Sequence, residues 1–369
     1  MTDGGANGGS ATRRSVLTGL LAASCAPAAA PPTVEGLDGA LIEVWVPFRE
    51  GGGTDAWVRA LRPWIEVAVP GENDVIVVNY ARAGGIGGAN EFAKRAALDG
   101  TRLLATSGSI QVPYLLGDRR VRYDYAAWAP IFATPEGGVV YAPGTGEGTT
   151  RARALDALMG RRLRFGSQGI ATLDLLPLLS FEMLGLHVRP VFGMKSRKDC
   201  RFAMMRGELQ IDYQTTATYL NSVRPLADAG RATPLFTWGA LSADGGVVRD
   251  PTFPDLPAFP EVYERVRGAP PSGEAWEAWR AFFVAGFGAQ KFLVVPRATA
   301  PRIVAAYKDR FADLARDPAF LRAMADQIGA YAPITGPALD QALAEATEVR
   351  PQVRAWVLDW LSDRYGYRS

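Results

Sequence analysis

Two glycine clusters, Gly51-Gly52-Gly53-Thr54-Asp55 and Gly84-Gly85-Ile86-Gly87-Gly88, offer this chain its clearest chemistry. Each follows a β-branched apolar run (residues 41–46 and 74–79) and precedes apolar residues at helical spacing, so each predicts a strand, a loop and a helix. A loop without side chains lets a ligand reach the backbone. A helix start adds unpaired N–H groups and a positive dipole end, and the combination suits a carboxylate or phosphate. Thr54 or Asp55 is expected to cap the first helix. A carboxylate pointing into an anion site would repel the ligand, so Asp55 is read as shaping the loop. Three further places carry polar groups that a ligand could meet. Thr106-Ser107-Gly108-Ser109 ends a strand at residues 102–107, where its hydroxyls either face a ligand or form an ordinary turn. The loop Gly166-Ser167-Gln168-Gly169-Ile170-Ala171-Thr172 separates another strand from an apolar helix. Asp212, Gln214, Thr215 and Thr216 end a strand read at residues 208–213; Asp212 either lines a cleft or simply caps a turn.

Catalytic chemistry finds little support. His187 is the single histidine, between a helix and a strand, where a structural role is the ordinary one. No closely spaced His, Cys and carboxylate set suggests a metal. Ser196-Arg197-Lys198-Asp199 reads as a capping box, which puts Cys200, Ala203 and Met204 on one helical face and makes Cys200 a small core residue. Residues 84–88 match a dinucleotide fingerprint only approximately, and no ribose-binding acid follows. The reading is a binding protein with no cofactor and no enzymatic step.

The elements that must position these loops come from a chain of 369 residues, 48% hydrophobic, enough for two cores. Forty Lys plus Arg against 38 Asp plus Glu give a charge of +2, which argues against a nucleic-acid surface. Strands alternate with helices, so the class is α/β with largely parallel sheets. Residues 265–277, with Gly268, Pro270, Pro271 and Gly273, read as a loop without assigned function. Pro301, Pro318, Pro337 and Pro351 sit where helices begin. Residues 1–36 read as a leader: Thr12-Arg13-Arg14-Ser15-Val16-Leu17 resembles a twin-arginine signal, and residues 16–23 are too short a core to span a bilayer. Two processing routes are open, cleavage at Ala28-Ala29-Ala30 to a soluble exported protein or lipid attachment at Cys25. Either leaves Cys200 without an internal partner.

The Pro47-Phe48 pair, the loop of residues 51–55, and Asn79 followed by residues 84–90 and Asp99-Gly100-Thr101 together resemble the Bug family, the extracytoplasmic solute-binding proteins of tripartite tricarboxylate transporters. The resemblance runs over nearly the whole chain after the leader. It implies a periplasmic-binding-protein type II-like fold of two α/β domains joined by two crossing strands, with a ligand cleft between them. Domain I would comprise residues 37–137 plus 239–369, and domain II residues 138–238. It further implies a periplasmic monomer that takes a small carboxylate and delivers it to membrane transporter subunits. In that cleft the amides near Gly52, Gly53, Thr54, Gly85, Ile86 and Gly87 would hold the acid, Phe48 would cover its apolar body, and Ser107 would add a hydroxyl. Ser167, Gly169, Thr172 and Asp212 would close from the other side. Pro47, Asp55 and Asn90 would shape the loops, with Arg82 a weaker candidate. Arg49 replaces a common proline and would meet a second carboxylate. Ala171 replaces a usual glycine and Phe192 a usual tyrosine. A sensor component presenting its ligand to a receptor, and an exported hydrolase, remain alternatives.

Overall fold

Every side chain in the strand Ile42–Val46 except Glu43 is buried, so this strand lies between two layers. The computed structural model describes residue 1 and residues 37–69, 73–144, 150–242 and 244–368. The leader readings, Arg13, Arg14 and Cys25 among them, lie outside the described residues. In chain order the elements are β1 (Ile42–Val46), α1 (Gly53–Ala68), β2 (Val75–Asn79), α2 (Ile86–Arg95), β3 (Arg102–Ser107), α3 (Gly108–Leu116), β4 (Trp128–Thr134), β5 (Gly138–Pro143), α4 (Arg151–Asp156) and β6 (Leu163–Gly166). There follow α5 (Leu175–Leu184), β7 (Val188–Val191), α6 (Arg197–Met205), β8 (Asp212–Thr215) and α7 (Thr216–Thr218), which runs through a π turn at Tyr219–Val223 into α8 (Arg224–Asp228). The last third holds β9 (Ala232–Thr237), β10 (Ala240–Leu241), β11 (Val247–Val248), α9 (Phe259–Arg267), α10 (Gly273–Phe283), a π turn at Val284–Gly288, β12 (Lys291–Pro296), α11 (Pro301–Leu314), α12 (Pro318–Ile328), α13 (Pro337–Thr347) and α14 (Pro351–Tyr365).

The first sheet has the order β2-β1-β3-β12-β4. Strands β1, β2 and β3 run parallel, while β12 is antiparallel to both β3 and β4. The sheet is therefore mixed where a largely parallel one was expected, because the chain returns from its second half through the middle of the sheet. Alternation sorts its side chains: Ile42, Val44, Leu103, Ala105, Leu293 and Val295 meet α1, α11 and α12 on one face. Trp45, Leu104, Phe292 and Val294 meet α2 and α13 on the other.

In the second lobe β5 pairs antiparallel with β8 and β9, and β6 pairs parallel with β7. A single bridge from Phe165 to Ile211 joins the two groups. The strand read at residues 208–213 begins only at Asp212, because Gly207 and Glu208 close the turn after α6. The stretch 265–277 is a loop only between α9 and α10; its ends are helical, and its Trp276 stacks on Trp279 with ring centroids 5.0 Å apart. All four of the helices beginning at Pro301, Pro318, Pro337 and Pro351 carry that proline in the first turn. Among the described residues no helix is long and apolar enough to cross a membrane.

Candidate functional site

Helix α1 begins at Gly53 with Gly52 as its cap, and no side chain closes it. This corrects the expectation that Thr54 or Asp55 would be the cap: both lie inside the first turn and are buried. Among the described residues the amides of Gly53 and Thr54 donate to no protein acceptor. A methyl group placed on Gly53 would meet nothing within 4 Å, so the chain is uncrowded at that position. Asp55 instead fixes the loop from behind. Its carboxylate accepts the Gly51 amide at 2.8 Å, Asn79 Nδ2 at 2.9 Å and Arg59 Nε at 2.9 Å. Asn79 Nδ2 also reaches the Phe48 carbonyl at 3.0 Å, which ties β2 to the loop. Burial works to raise the Asp55 pKa, but Arg59, the Gly51 amide and Asn79 outweigh it and hold the group below the ordinary aspartate range. Arg49 beside this loop is exposed, and Phe48 is half-buried.

The second glycine cluster has a different reason for its composition. Ala83–Gly85 forms a 3-10 turn in which the Gly85 and Gly87 amides both donate to the Arg82 carbonyl, at 3.0 and 3.1 Å, and the Ile86 amide donates to Ala83. The three amides expected to hold a carboxylate are thus already engaged. Gly85 adopts φ +103°, and a methyl there would fall 2.6 Å from Phe48 Cε1 and 2.7 Å from Ile110 Cγ2. On Gly88 it would fall 2.4 Å from the Tyr80 carbonyl oxygen and 2.8 Å from Pro47 Cα. These glycines bring α2 against the end of β1. Gly88→Ala is therefore expected to cost about 1–3 kcal/mol, while Gly53→Ala stays within about 0.5 kcal/mol of the parent, as urea unfolding will measure.

On the other lobe the loop after β6 is internally bonded. Ser167 Oγ donates to Asp174 at 3.0 Å and the Gln168 amide to the same oxygen at 2.6 Å. The Gly169 amide reaches Ser167 Oγ at 3.1 Å, and the Thr172 hydroxyl donates to the Gly169 carbonyl at 2.6 Å. Ser167 is wholly buried, whereas Gly169 and Thr172 are half-buried. Asp174 also accepts Tyr213 Oη at 2.9 Å and Arg197 Nη1 at 3.3 Å. Arg197 in turn contacts Asp212, which accepts Tyr141 Oη at 2.6 Å and Gln214 Nε2 at 3.0 Å. Its guanidinium lies over the Tyr213 ring, 4.2 Å from the centroid.

This network corrects Asp212: the residue is 0% exposed and belongs to the interior, not to a cleft wall. Burial raises its carboxyl pKa even with Arg197 adjacent, since that one guanidinium is shared with Asp174. For Arg197, burial alone would lower the pKa, but Asp212 and Asp174 overcome it and raise it. Cys200 lies under the same network with its thiol pushed up to about 12 by burial, an inert core group. Ser107 is also buried; its Oγ accepts the Ser109 amide as the cap of α3, so no polar turn separates β3 from that helix. Asn90 braces residues 120–122, donating to the Arg120 carbonyl and accepting the Arg122 amide, so its side chain is spent on that segment.

The two lobes also meet beside the glycine loops. Phe48 packs on Gly85, Gly85 on Ile110, and α3 begins at Gly108, where a methyl would lie 2.3 Å from Leu173 Cδ1 of the opposite lobe. Phe48 and Leu173 thus both lie beside α3. Sequence reasoning missed Asp174, Arg197 and Tyr141. A signal existed for the first: Asp174 is the only charge in the apolar run 173–181, which demands a partner. Among the described residues no cluster of three or more His, Cys, Asp or Glu could hold a metal.

No protein-family model matches the chain, and no curated protein matches it. Solved structures do. The periplasmic binding protein BugD is 20% identical with a TM-score of 0.61, the match covering 89% of this chain and 98% of that one. MatC of Rhodopseudomonas palustris, solved with bound malate, is 18% identical with a TM-score of 0.59 over 88% and 98% of the two chains. Rpa4515 of R. palustris, solved with adipate, is 18% identical with a TM-score of 0.63 over 86% and 97%. The chain carries the two-lobed α/β fold of the Bug-type periplasmic solute-binding proteins.

Proposed function

We propose that this protein captures a small carboxylate outside the cytoplasm and hands it to a membrane transporter of the tripartite tricarboxylate type. The observation that carries the reading is the start of α1, a 16-residue helix with no side-chain cap and free space at Gly53, within a fold shared with binding proteins solved with malate and adipate. An uncapped helix start prefers a negative guest. The amides of Gly53 and Thr54 take one carboxylate, Phe48 covers the apolar body, and Arg49 meets a second acid group. Gly169 and Thr172 face them from the other lobe, in a division of residues 37–137 plus 239–369 against 138–238. Binding leaves the ligand chemically unchanged. The pair Arg13-Arg14 and the short core at residues 16–23 support export by the twin-arginine route, followed by removal of the leader.

Thermal melting with malate and adipate tests this. At a hundredfold excess over Kd, a ligand of the native state adds about 2.7 kcal/mol, a rise of roughly 4 °C for a chain of this size. Arg49→Ala is expected to weaken both dicarboxylates roughly tenfold and leave hexanoate unchanged. No shift with any carboxylate sinks the proposal.

A further inference from the structure

Helix α6 in the second lobe is covered on one side only. Cys200, Ala203 and Met204 turn inward, and β6 lies under them: a methyl on Gly166 would fall 3.0 Å from Cys200 Sγ and 2.8 Å from Leu209 Cδ1. The opposite side carries Lys198, Phe202 and Met205, with Arg206 just past its end, all exposed. They recur three and four residues apart, so they form one stripe. Strand β7 extends the same surface. Alternation puts Arg164 and Gly166 on the face of β6 turned to α6, and the register Arg164 to Arg189 and Gly166 to Val191 puts Arg189 and Val191 on that face of β7, where both are exposed. The helix therefore stops short of β7 and leaves it as a shelf.

This surface is basic and partly apolar. Residues 189–208 hold six Lys or Arg against two acids, in a chain whose whole charge is +2. Both acids are occupied: Glu208 pairs with Arg206 at 2.6 Å, and Asp199 accepts the Ser196 hydroxyl at 2.7 Å. Arg164, Arg189, Lys195 and Lys198 are exposed and form no ion pair among the described residues. Arg201 is only 7% exposed, yet its Nη1 finds no acceptor among the described residues; the guanidinium rests against the Phe202 ring, 5.4 Å from the centroid, and Lys198 Nζ approaches the same ring at 5.7 Å. A guanidinium so nearly buried without an acceptor is costly, and an anion arriving at the surface would relieve it. Val191, Phe202 and Met205 are 40%, 41% and 42% exposed, so each leaves apolar surface in water.

Free cations around exposed aromatic and thioether groups match an anionic phospholipid surface. Phosphates answer the cations, and the apolar side chains enter at the headgroup level. A bilayer accepts the outer face of a helix without a matching recess, whereas an acidic peptide needs a groove to lie in, and this stripe stands proud. We infer that α6 and the shelf of β7 dock the second lobe on an anionic phospholipid bilayer. The attachment is weak and reversible, and it holds the protein at the membrane where a transporter partner would be met. It is independent of the carboxylate-binding role proposed above.

The test uses the full chain with Cys25→Ser and a bimane label at Met205→Cys on α6, or at Val67→Cys on α1 as the control, both exposed. Cys200 stays unlabelled because it is buried. The label reads contact at its own position, so a leader that touches the vesicle does not by itself move it. Phosphatidylcholine vesicles with roughly one-third phosphatidylglycerol, in about 0.02 M salt, should shift the Met205 label to the blue and leave the Val67 label unchanged. Phosphatidylcholine alone, or about 0.5 M salt, should remove the shift. Lys195→Gln with Lys198→Gln should raise the lipid concentration that gives half the shift by roughly twenty-five-fold, about fivefold for each cation. No shift with anionic vesicles, a shift that persists in high salt, or one that the double change leaves unaltered overturns the inference. Inorganic phosphate at matched ionic strength should not reverse the shift; reversal makes the surface a phosphate site and overturns the membrane contact. Binding of poly-glutamate with no response to vesicles assigns the face to an acidic protein segment and overturns it as well. None of these readouts needs a carboxylate ligand, so failure to bind malate counts against the binding role alone.

Discussion

Replacing Arg197 with methionine is expected to destabilise the protein by about 3–5 kcal/mol, a fall in melting temperature of roughly 4–7 °C. The cause is arithmetic of charge. Asp174 and Asp212 are buried to within 1% and 0% of full burial, and Arg197 is the one cation that touches either of them among the described residues. Without it two carboxylates remain in the interior with only neutral donors, Ser167, Tyr213, Tyr141 and Gln214. Breaking a buried pair from one side leaves an uncompensated charge, and that charge sets the cost. Asp212→Asn in the same chain removes one of the two charges and should restore much of the loss. Recovery separates the electrostatic cause from simple loss of packing.

The pH dependence has a definite sign. Burial raises the Asp212 carboxyl above its unfolded value, so the folded state binds the proton more tightly than the unfolded chain. Its contribution to stability is therefore fully present below the unfolded pKa and is lost as pH rises through the folded one. Removing Arg197 takes away the charge that opposes this shift and raises the folded value further. The deficit of Arg197→Met should then be larger at pH 8 than at pH 5, as melting curves at the two values will record. A deficit that grows in acid contradicts the assignment.

How far the sequence could be read depended on the range of the interaction concerned. Strands β3 and β12 lie where their apolar runs placed them, at residues 102–107 and 291–296, because a strand buried on both faces is apolar throughout. The four proline-started helices were legible because proline fixes its own φ and gives up an amide that the first turn does not use. Of the capping box read at Ser196 the cap itself is present, Ser196 Oγ accepting the Asp199 amide at 3.2 Å, while the Asp199 carboxylate accepts from the Ser196 hydroxyl at 2.7 Å instead of from its backbone amide. Residues 84–88 show the limit. Glycine needed for helix packing and glycine needed for ligand approach leave the same letters, and only the positions of Tyr80, Pro47 and Phe48 tell them apart. Asp212 was ambiguous because its partner Arg197 comes from another element, fifteen residues away.

The second large effect is expected at the crossing between the lobes. Lys291 opens β12 in the first sheet, and its Nζ lies 2.5 Å from Glu136 Oε2 in the segment that joins β4 to β5, with both side chains no more than 3% exposed. Glu136 finds little else: the Ala217 amide approaches Oε1 only to 3.5 Å. Lys291→Met keeps the length and apolar stem of the side chain while removing the ammonium, so about 3–5 kcal/mol of stability should disappear with a carboxylate stranded in the interior. The double change Lys291→Met with Glu136→Gln removes both charges and should lie within about 1–2 kcal/mol of the parent in urea unfolding, because a buried ion pair gains little over neutral groups that fill the same space. If the double variant is as unstable as Lys291→Met alone, the pair does more than neutralise itself. The Glu136 amide is bonded to Phe287, so the crossing would then depend on the ion pair to hold the π turn in register.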